Sequence, residues 1–191
     1  MNLLNIEMNK LKCYPVTEKW QVELMRHIYN DNLEMLSTHP LPYREYQEQQ
    51  DWWEENKKHL RVYLYEPIEK PGKFVAFLVL RIREGFCTPT IAIQKEEWGS
   101  GYGQEIVNDY IIKADGPIAG SQLQCNKAIC HINNKVGWQI IGESGEGELK
   151  IDLLYHAGIN KENKCTKEVF LNILKYLDIN PQEFDFNKVN L

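Results

Sequence analysis

Residues 96–107, EEWGSGYGQEIV, carry three glycines at alternate positions, Gly99, Gly101 and Gly103, between a β-branched apolar run and a stretch with helical spacing. A strand that turns through bare backbone into a helix N-terminus is a generic anion cradle. The first helical amides lack intrahelical acceptors, and the helix dipole adds roughly half a positive charge there. Glycine lets the main chain close on an oxygen without a Cβ in the way. The Walker phosphate loop is excluded, because no Lys-Ser/Thr pair follows the last glycine, and G-x-G-x-x-G fails because residue 104 is Gln. The same pattern also serves a tight turn with close helix–strand packing.

A second segment narrows the chemistry. NKAICHINNKVGW (126–138) starts with Asn126 and closes on Lys135, Gly137 and the aromatic Trp138. Together the two segments resemble the cofactor motifs of the GNAT-type N-acyltransferases. In that family a strand enters a basic-x-x-Gly-x-Gly/Ala loop, and an Asn-started helix ends in Lys-x-Gly-Phe. Trp98, Gly101 and Gly103 stand at the three loop positions. The resemblance covers about residues 10–155. Upstream, EQQDWWEENKKHLRVYLYE is similar to the second helix and following strand of members that modify sugar nucleotides or protein N-termini.

The resemblance implies an acyltransferase that uses acetyl-CoA or another acyl-CoA as co-substrate, with no metal. The acceptor it implies is a primary amine of a small molecule, such as an amino sugar, or of a protein. It implies that the strand before the loop splays from its neighbour, freeing main-chain groups at Ile91, Ile93 and Gln94 to pair with the pantetheine arm. The pyrophosphate then sits over the amides of Gly99, Ser100, Gly101, Tyr102, Gly103 and Gln104. The thioester lies between TPTIAIQ (88–94) and IAGSQLQ (118–124).

Two positions depart from the family pattern. Trp98 stands where a loop Arg or Gln is usual, leaving Lys95 or Lys127 to compensate. Asn133 stands where a general-acid Tyr is common. An amide can hydrogen-bond a thiolate or the pantetheine but is no useful proton donor. For the base, Glu84 in REGFC is nearest to where family members carry a Glu, although a solvated turn glutamate reads the same way. His39 lies in the Pro-shaped loop STHPLPY, in the acceptor-binding region that the resemblance implies. His131 reads as core, surface or cofactor-facing. Cys125 and Cys130 read as small hydrophobes, with no assembled Cys–His–acid set. Tyr43, Tyr46, Trp52 and Trp53 form either an acceptor wall or a core stripe.

These residues need a scaffold, and the apolar periodicity supplies one. Strands are expected at 10–16, 61–65, 74–82, 88–94, 118–124, 138–143 and 148–155. Helices are expected after Thr17 as N-cap, with Trp20, Leu24 and Ile28 on one face, and over 43–60, with Tyr46, Gln49, Trp53 and Lys57 aligned. Further helices are expected over 103–114, 126–137 and 166–178. Residues 30–43 read as a long loop, and GESGEGE as a solvated hairpin tip. The order predicts one α/β sheet with helices on both faces. With the resemblance, the expected fold is α/β, GNAT-like mixed, with a central twisted sheet of about six to seven strands and a C-terminal helical extension. The domain spans 1–156, with 157–191 packed on it as the extension.

Composition sets the bounds. A chain of 191 residues, 43% hydrophobic and 26% charged, is ordinary for one globular domain. A net charge of −5 disfavours loose binding to nucleic acid. Five cysteines without ligand spacing predict reduced thiols in a cytoplasmic protein. No signal peptide and no membrane span are expected. The partners expected are acyl-CoA and an amine, and a homodimer fits the reading. Competing readings are a degenerate acyl-CoA- or partner-binding module using helix 166–178, an acyltransferase acting on a nucleobase or tRNA, and a nucleotide-binding α/β domain.

Overall fold

A computed structural model describes residues 8–36, 41–147 and 150–181. Among them, β1 (Leu11–Pro15), α1 (Lys19–Asn30), α2 (Tyr46–Asn56), β2 (Leu60–Pro67), β3 (Ala76–Arg83) and β4 (Phe86–Ile93) come first. Then follow α3 (Tyr102–Lys113), β5 (Ile118–Leu123), α4 (Lys127–Val136), β6 (Gln139–Ser144), β7 (Ile151–His156) and α5 (Lys167–Tyr176). The strands form one sheet in the order β1-β2-β3-β4-β5-β7-β6, antiparallel except for β4 and β5. This is the mixed sheet expected from the element order.

Side-chain alternation divides the sheet into two faces. Leu78, Leu80, Ile118 and Leu154 turn toward Ile106, Val107 and Ile111 of α3, and Ile129 and Ile132 of α4 pack against the same cluster. The opposite face carries two clusters. Phe77, Val79 and Ala92 meet Val22, Met25 and Ile28 of α1 and Trp53 of α2; Leu153 and Tyr155 meet Phe170, Ile173 and Leu174 of α5.

Local details differ from the periodicity reading. Glu18, not Thr17, caps α1, because Glu18 and Gln21 close a reciprocal capping box while the Gln21 Oε1 also accepts from the Thr17 amide at 2.7 Å. The buried stripe of α1 runs through Val22, Met25 and Ile28; Trp20 is 55% exposed and packs on Phe74. α2 is shorter than 43–60. It buries Gln49, Gln50 and Trp53, while Tyr46 and Lys57 face solvent. The aromatic group therefore splits: Trp53 is core, Trp52 packs at its edge, and Tyr43 and Tyr46 are exposed.

Candidate active site

β4 and β5 are registered at one pair, Cys87 and Ile118, with the Cys87 amide donating to the Pro117 carbonyl at 2.8 Å. Pro89 explains why the ladder stops. In an extended strand alternate residues turn their N–H and C=O groups to opposite neighbours. Cys87 bonds toward β5, and Gln94 donates to Val75 on the β3 side at 2.8 Å. Odd-numbered residues of β4 thus face β5. The next rung falls to Pro89, which has no N–H to give. Beyond it the strands part, and the main chain of Ile91 and Ile93 faces the opening. Gln94 does not: its amide is spent on β3, so it leaves the trio expected for pantetheine pairing.

A cleft of about 640 Å³ fills this opening. Of the predicted cofactor-binding residues, Ile91, Ile93, Trp98, Gly99, Ser100, Gly101, Tyr102, Gly103, Gln104, Asn126, Asn133 and Lys135 all line it. The three glycines have separate structural reasons. Gly99 and Gly101 adopt φ of +84° and +87°, the left-handed region that favours glycine. At Gly103 an added Cβ would come within 3.1 Å of Ile132 and 3.5 Å of Ile93, so its bareness lets α3 approach α4 and β4.

The loop is anchored from below. The buried Glu97 carboxylate meets Lys73 Nζ at 2.7 Å and Lys70 Nζ at 3.1 Å, and the hydrogen bonds from these ammoniums hold its pKa below the usual carboxylate range. Ser100 turns both its amide and its hydroxyl onto the Glu97 carbonyl, at 3.3 and 2.6 Å. α3 then starts at Gly101 with no side-chain cap, leaving the first-turn amides of Tyr102, Gly103 and Gln104 to the cleft end. A cation reaches this loop from elsewhere in the chain. Lys10, just before β1, donates through Nζ to the Ser100 carbonyl at 2.8 Å and stands over Gly101. Lys10, like Lys95 and Lys127, is not itself a lining residue of the cleft; its contact is with the loop.

Asn133 is 5% exposed and ends a buried relay. The Asp152 carboxylate accepts from Gln122 Nε2 at 2.8 Å and from Gln124 Nε2 at 2.6 Å, and the Gln122 Oε1 accepts from Asn133 Nδ2 at 2.8 Å. A carboxylate only accepts, so it fixes the direction of both amides and leaves Asn133 Oδ1 without a partner among the described residues. Trp138, in the same cleft wall, is buried. Beside Trp138, Tyr110 also lines the cleft, its ring edge-on at 6.3 Å. Burial pushes the Tyr110 phenol up, so it keeps its proton.

Glu84 lies apart from this assembly, exposed in the β3–β4 turn at the end of the hairpin opposite the glycine loop. His39 lies outside the described residues. His131 and Lys135 are exposed at the cleft mouth. The Asn126 side chain is taken by its own helix, accepting from the Ile129 amide at 3.3 Å. The sequence reading missed Pro89, Lys10, Tyr110 and the Gln122–Asp152 pair. Tyr110, seven residues after Gly103 on the same helix face, had a periodic signal; the others had none.

No protein-family model matches the chain, and no curated protein matches its sequence. Solved structures do. The spermidine N-acetyltransferase of Vibrio cholerae, in complex with CoA and spermine, superposes with a TM-score of 0.68 at 14% identity, over 82% of this chain and 100% of that one. The yncA protein of Salmonella typhimurium, with its cofactor acetyl-CoA, gives 0.67 at 11% identity, over 83% and 99%. An N-acetyltransferase of Staphylococcus aureus Mu50 gives 0.66 at 14% identity, over 77% and 98%. The chain has the fold of the GNAT-type N-acetyltransferases.

Proposed function

We propose that the protein transfers an acetyl or other acyl group from acyl-CoA to a primary amine. The observation that carries this reading is the break in the β4–β5 ladder at Pro89, which opens a strand edge leading straight to an uncapped helix N-terminus. An arm of amide groups can pair with Ile91 and Ile93 as an added strand, and a pyrophosphate can take the first-turn amides and the field of Lys10. The residues present suit such a ligand: left-handed glycines at 99 and 101, an uncapped helix N-terminus, and a buried Asn133 Oδ1 with no partner among the described residues.

In the transfer, the amine nitrogen bonds to the thioester carbon, the C–S bond breaks, and the amine proton leaves as sulfur takes one up. The protein's share is mainly positioning and amide polarisation. Asn133 offers an acceptor oxygen, which can orient an N–H or S–H. Tyr110 holds its proton and so serves as a donor, not as a base. Neighbours of the same fold carry CoA with spermine, or acetyl-CoA, which supports the donor class.

The test is a thermal-shift titration with acetyl-CoA, followed by thiol release with an amine panel. Stabilisation and turnover are expected. No stabilisation at millimolar acetyl-CoA would overturn the reading, and stabilisation without turnover on any amine would point to a binding module.

A further inference from the structure

The face of the sheet opposite α3 and α4 is apolar at both flanks and polar between them. Val79 and Ala92 pack under α1 and α2, and Leu153 and Tyr155 under α5. Strand alternation puts Arg81 of β3 and Thr88 and Thr90 of β4 on this same face, in the gap between the two clusters. Arg81 stands opposite Thr88 in the ladder and donates through Nη1 to Thr90 Oγ1 at 2.8 Å. Thr88 is 2% exposed, and its hydroxyl oxygen has no partner among the described residues. Thr90 lines the cleft, so the polar strip ends at the gap between β4 and β5.

The strip is cationic without compensation. Arg81 makes no ion pair with a carboxylate among the described residues, and burial pulls its pKa down. The ionisable groups acting on it most strongly are Tyr176, Arg83, Arg44 and Tyr29, two phenols and two further guanidiniums. Arg44 lies 4.3 Å over the Tyr29 ring, and Arg83 lies 4.7 Å over the ring of Tyr176, from α5. No carboxylate among the described residues answers this group. A half-buried guanidinium with spare N–H donors is costly alone and favourable when a planar oxyanion meets its fork.

We propose that the acyl acceptor is a small amine carrying an oxyanion, a carboxylate or a phosphate, and that Arg81 binds this oxyanion while the amine enters the cleft beside Thr90. The proposal rests on the acyl-transfer reading of the cleft and names its second substrate class. One side chain, Thr90, separates the guanidinium from the gap, so amine and oxyanion lie a few bonds apart, as in an α-amino acid or a phosphorylated amino sugar. The oxyanion passes through the reaction unchanged. A simple polyamine offers nothing to Arg81 and is repelled by the three guanidiniums.

The test uses the full chain with matched acceptors: L-amino acids against their carboxamides, an amino-sugar phosphate against the free amino sugar, and putrescine. Two readouts are taken, thiol release with acetyl-CoA and calorimetric binding to the CoA-saturated protein. The oxyanionic member of one pair should be preferred by about tenfold or more, and the winning pair tells carboxylate from phosphate. Arg81→Gln should erase that preference, with KM for the oxyanionic member rising about tenfold. If Arg81→Gln does not fold, the exposed Arg83→Gln should narrow the preference by a few-fold. A wild-type preference for the uncharged members or for putrescine, or a preference untouched by these substitutions, overturns the proposal while acetyl-CoA still binds. Failure of acetyl-CoA itself to bind overturns the acyl-transfer reading, and this proposal with it.

Discussion

The indole N–H of Trp98 donates to the carbonyl oxygen of Ile93 across 2.9 Å. That carbonyl faces the open edge of β4, where a strand-adding ligand arm would pair. The residue that replaces the expected loop cation therefore also occupies an acceptor on the binding edge. Trp98→Phe keeps an aromatic ring and removes the donor. It should tighten acetyl-CoA by about 1 kcal/mol in calorimetry, because the ligand no longer competes with the indole. Weaker binding would mean that the indole itself contacts the cofactor.

Lys10 supplies charge to the loop from the far end of the chain. Its Nζ meets the Ser100 carbonyl at 2.8 Å, and its amide meets both Glu105 carboxylate oxygens at 3.1 and 3.2 Å. Lys10→Gln should weaken acetyl-CoA binding by about 1 kcal/mol at low salt. The loss should shrink at high ionic strength, since the lysine is exposed and screened. A salt-independent loss would assign Lys10 to holding the loop's shape.

How much of this was readable beforehand depended on how local the signal was. The glycine loop and the Asn-started helix are contiguous segments whose positive φ angles and caps are set by nearby residues, and they line the cleft. Sheet content followed from alternating apolar runs. Lys10 meets Ser100 across 90 residues, and Gln122 meets Asp152 across 30, contacts that only the folded sheet creates. Glu84 rests on analogy of position, and the hairpin puts it in the turn before β4, at the end away from the glycine loop. Arg81 and Arg83, two apart in RIR, share one strand face by alternation, but nothing local shows that no described carboxylate meets Arg81 there.

Pro89 offers a test of how the cleft is kept open. Pro89→Ala restores an N–H on the side facing β5, where Ala119 can accept. The apo protein should gain stability, by about 1 kcal/mol for a recovered hydrogen bond. Acetyl-CoA should bind correspondingly more weakly, because its arm must displace a rung. A melting curve without ligand and a titration with it separate the two effects. Unchanged affinity would place the cause of the splay elsewhere.

Asp152 sets the direction of the buried amides that end at Asn133. In Asp152→Asn a donor-bearing amide faces the Gln122 and Gln124 NH₂ groups, which lie 2.8 and 2.6 Å from the present carboxylate oxygens. One donor is left unmet, costing about 1–3 kcal/mol of stability. The orientation of Asn133 is then no longer fixed, so kcat should fall more than acetyl-CoA affinity does. Equal losses in both would make the relay a purely structural element.

His156 gives the stability a defined pH dependence. Its Nδ1 accepts from the Gly158 amide at 3.0 Å, and its Nε2 lies 3.3 Å from the Val136 carbonyl, an arrangement that suits the neutral ring. Burial, reinforced by Lys161, lowers its pKa against the opposing pull of that carbonyl. The unfolded chain keeps the ordinary value of about 6.5. Below that pH the unfolded state takes up a proton that the folded state refuses, so stability rises with pH through this window and is lost toward acid. The melting temperature should therefore drop between about pH 7 and pH 5.5, ahead of the carboxylate range where Glu23 and Glu97 lose their ion pairs. His156→Gln can donate to Val136 and accept from Gly158 without titrating, so it should flatten the curve in that window alone. A slope that persists in the glutamine variant would assign the acid sensitivity to another group.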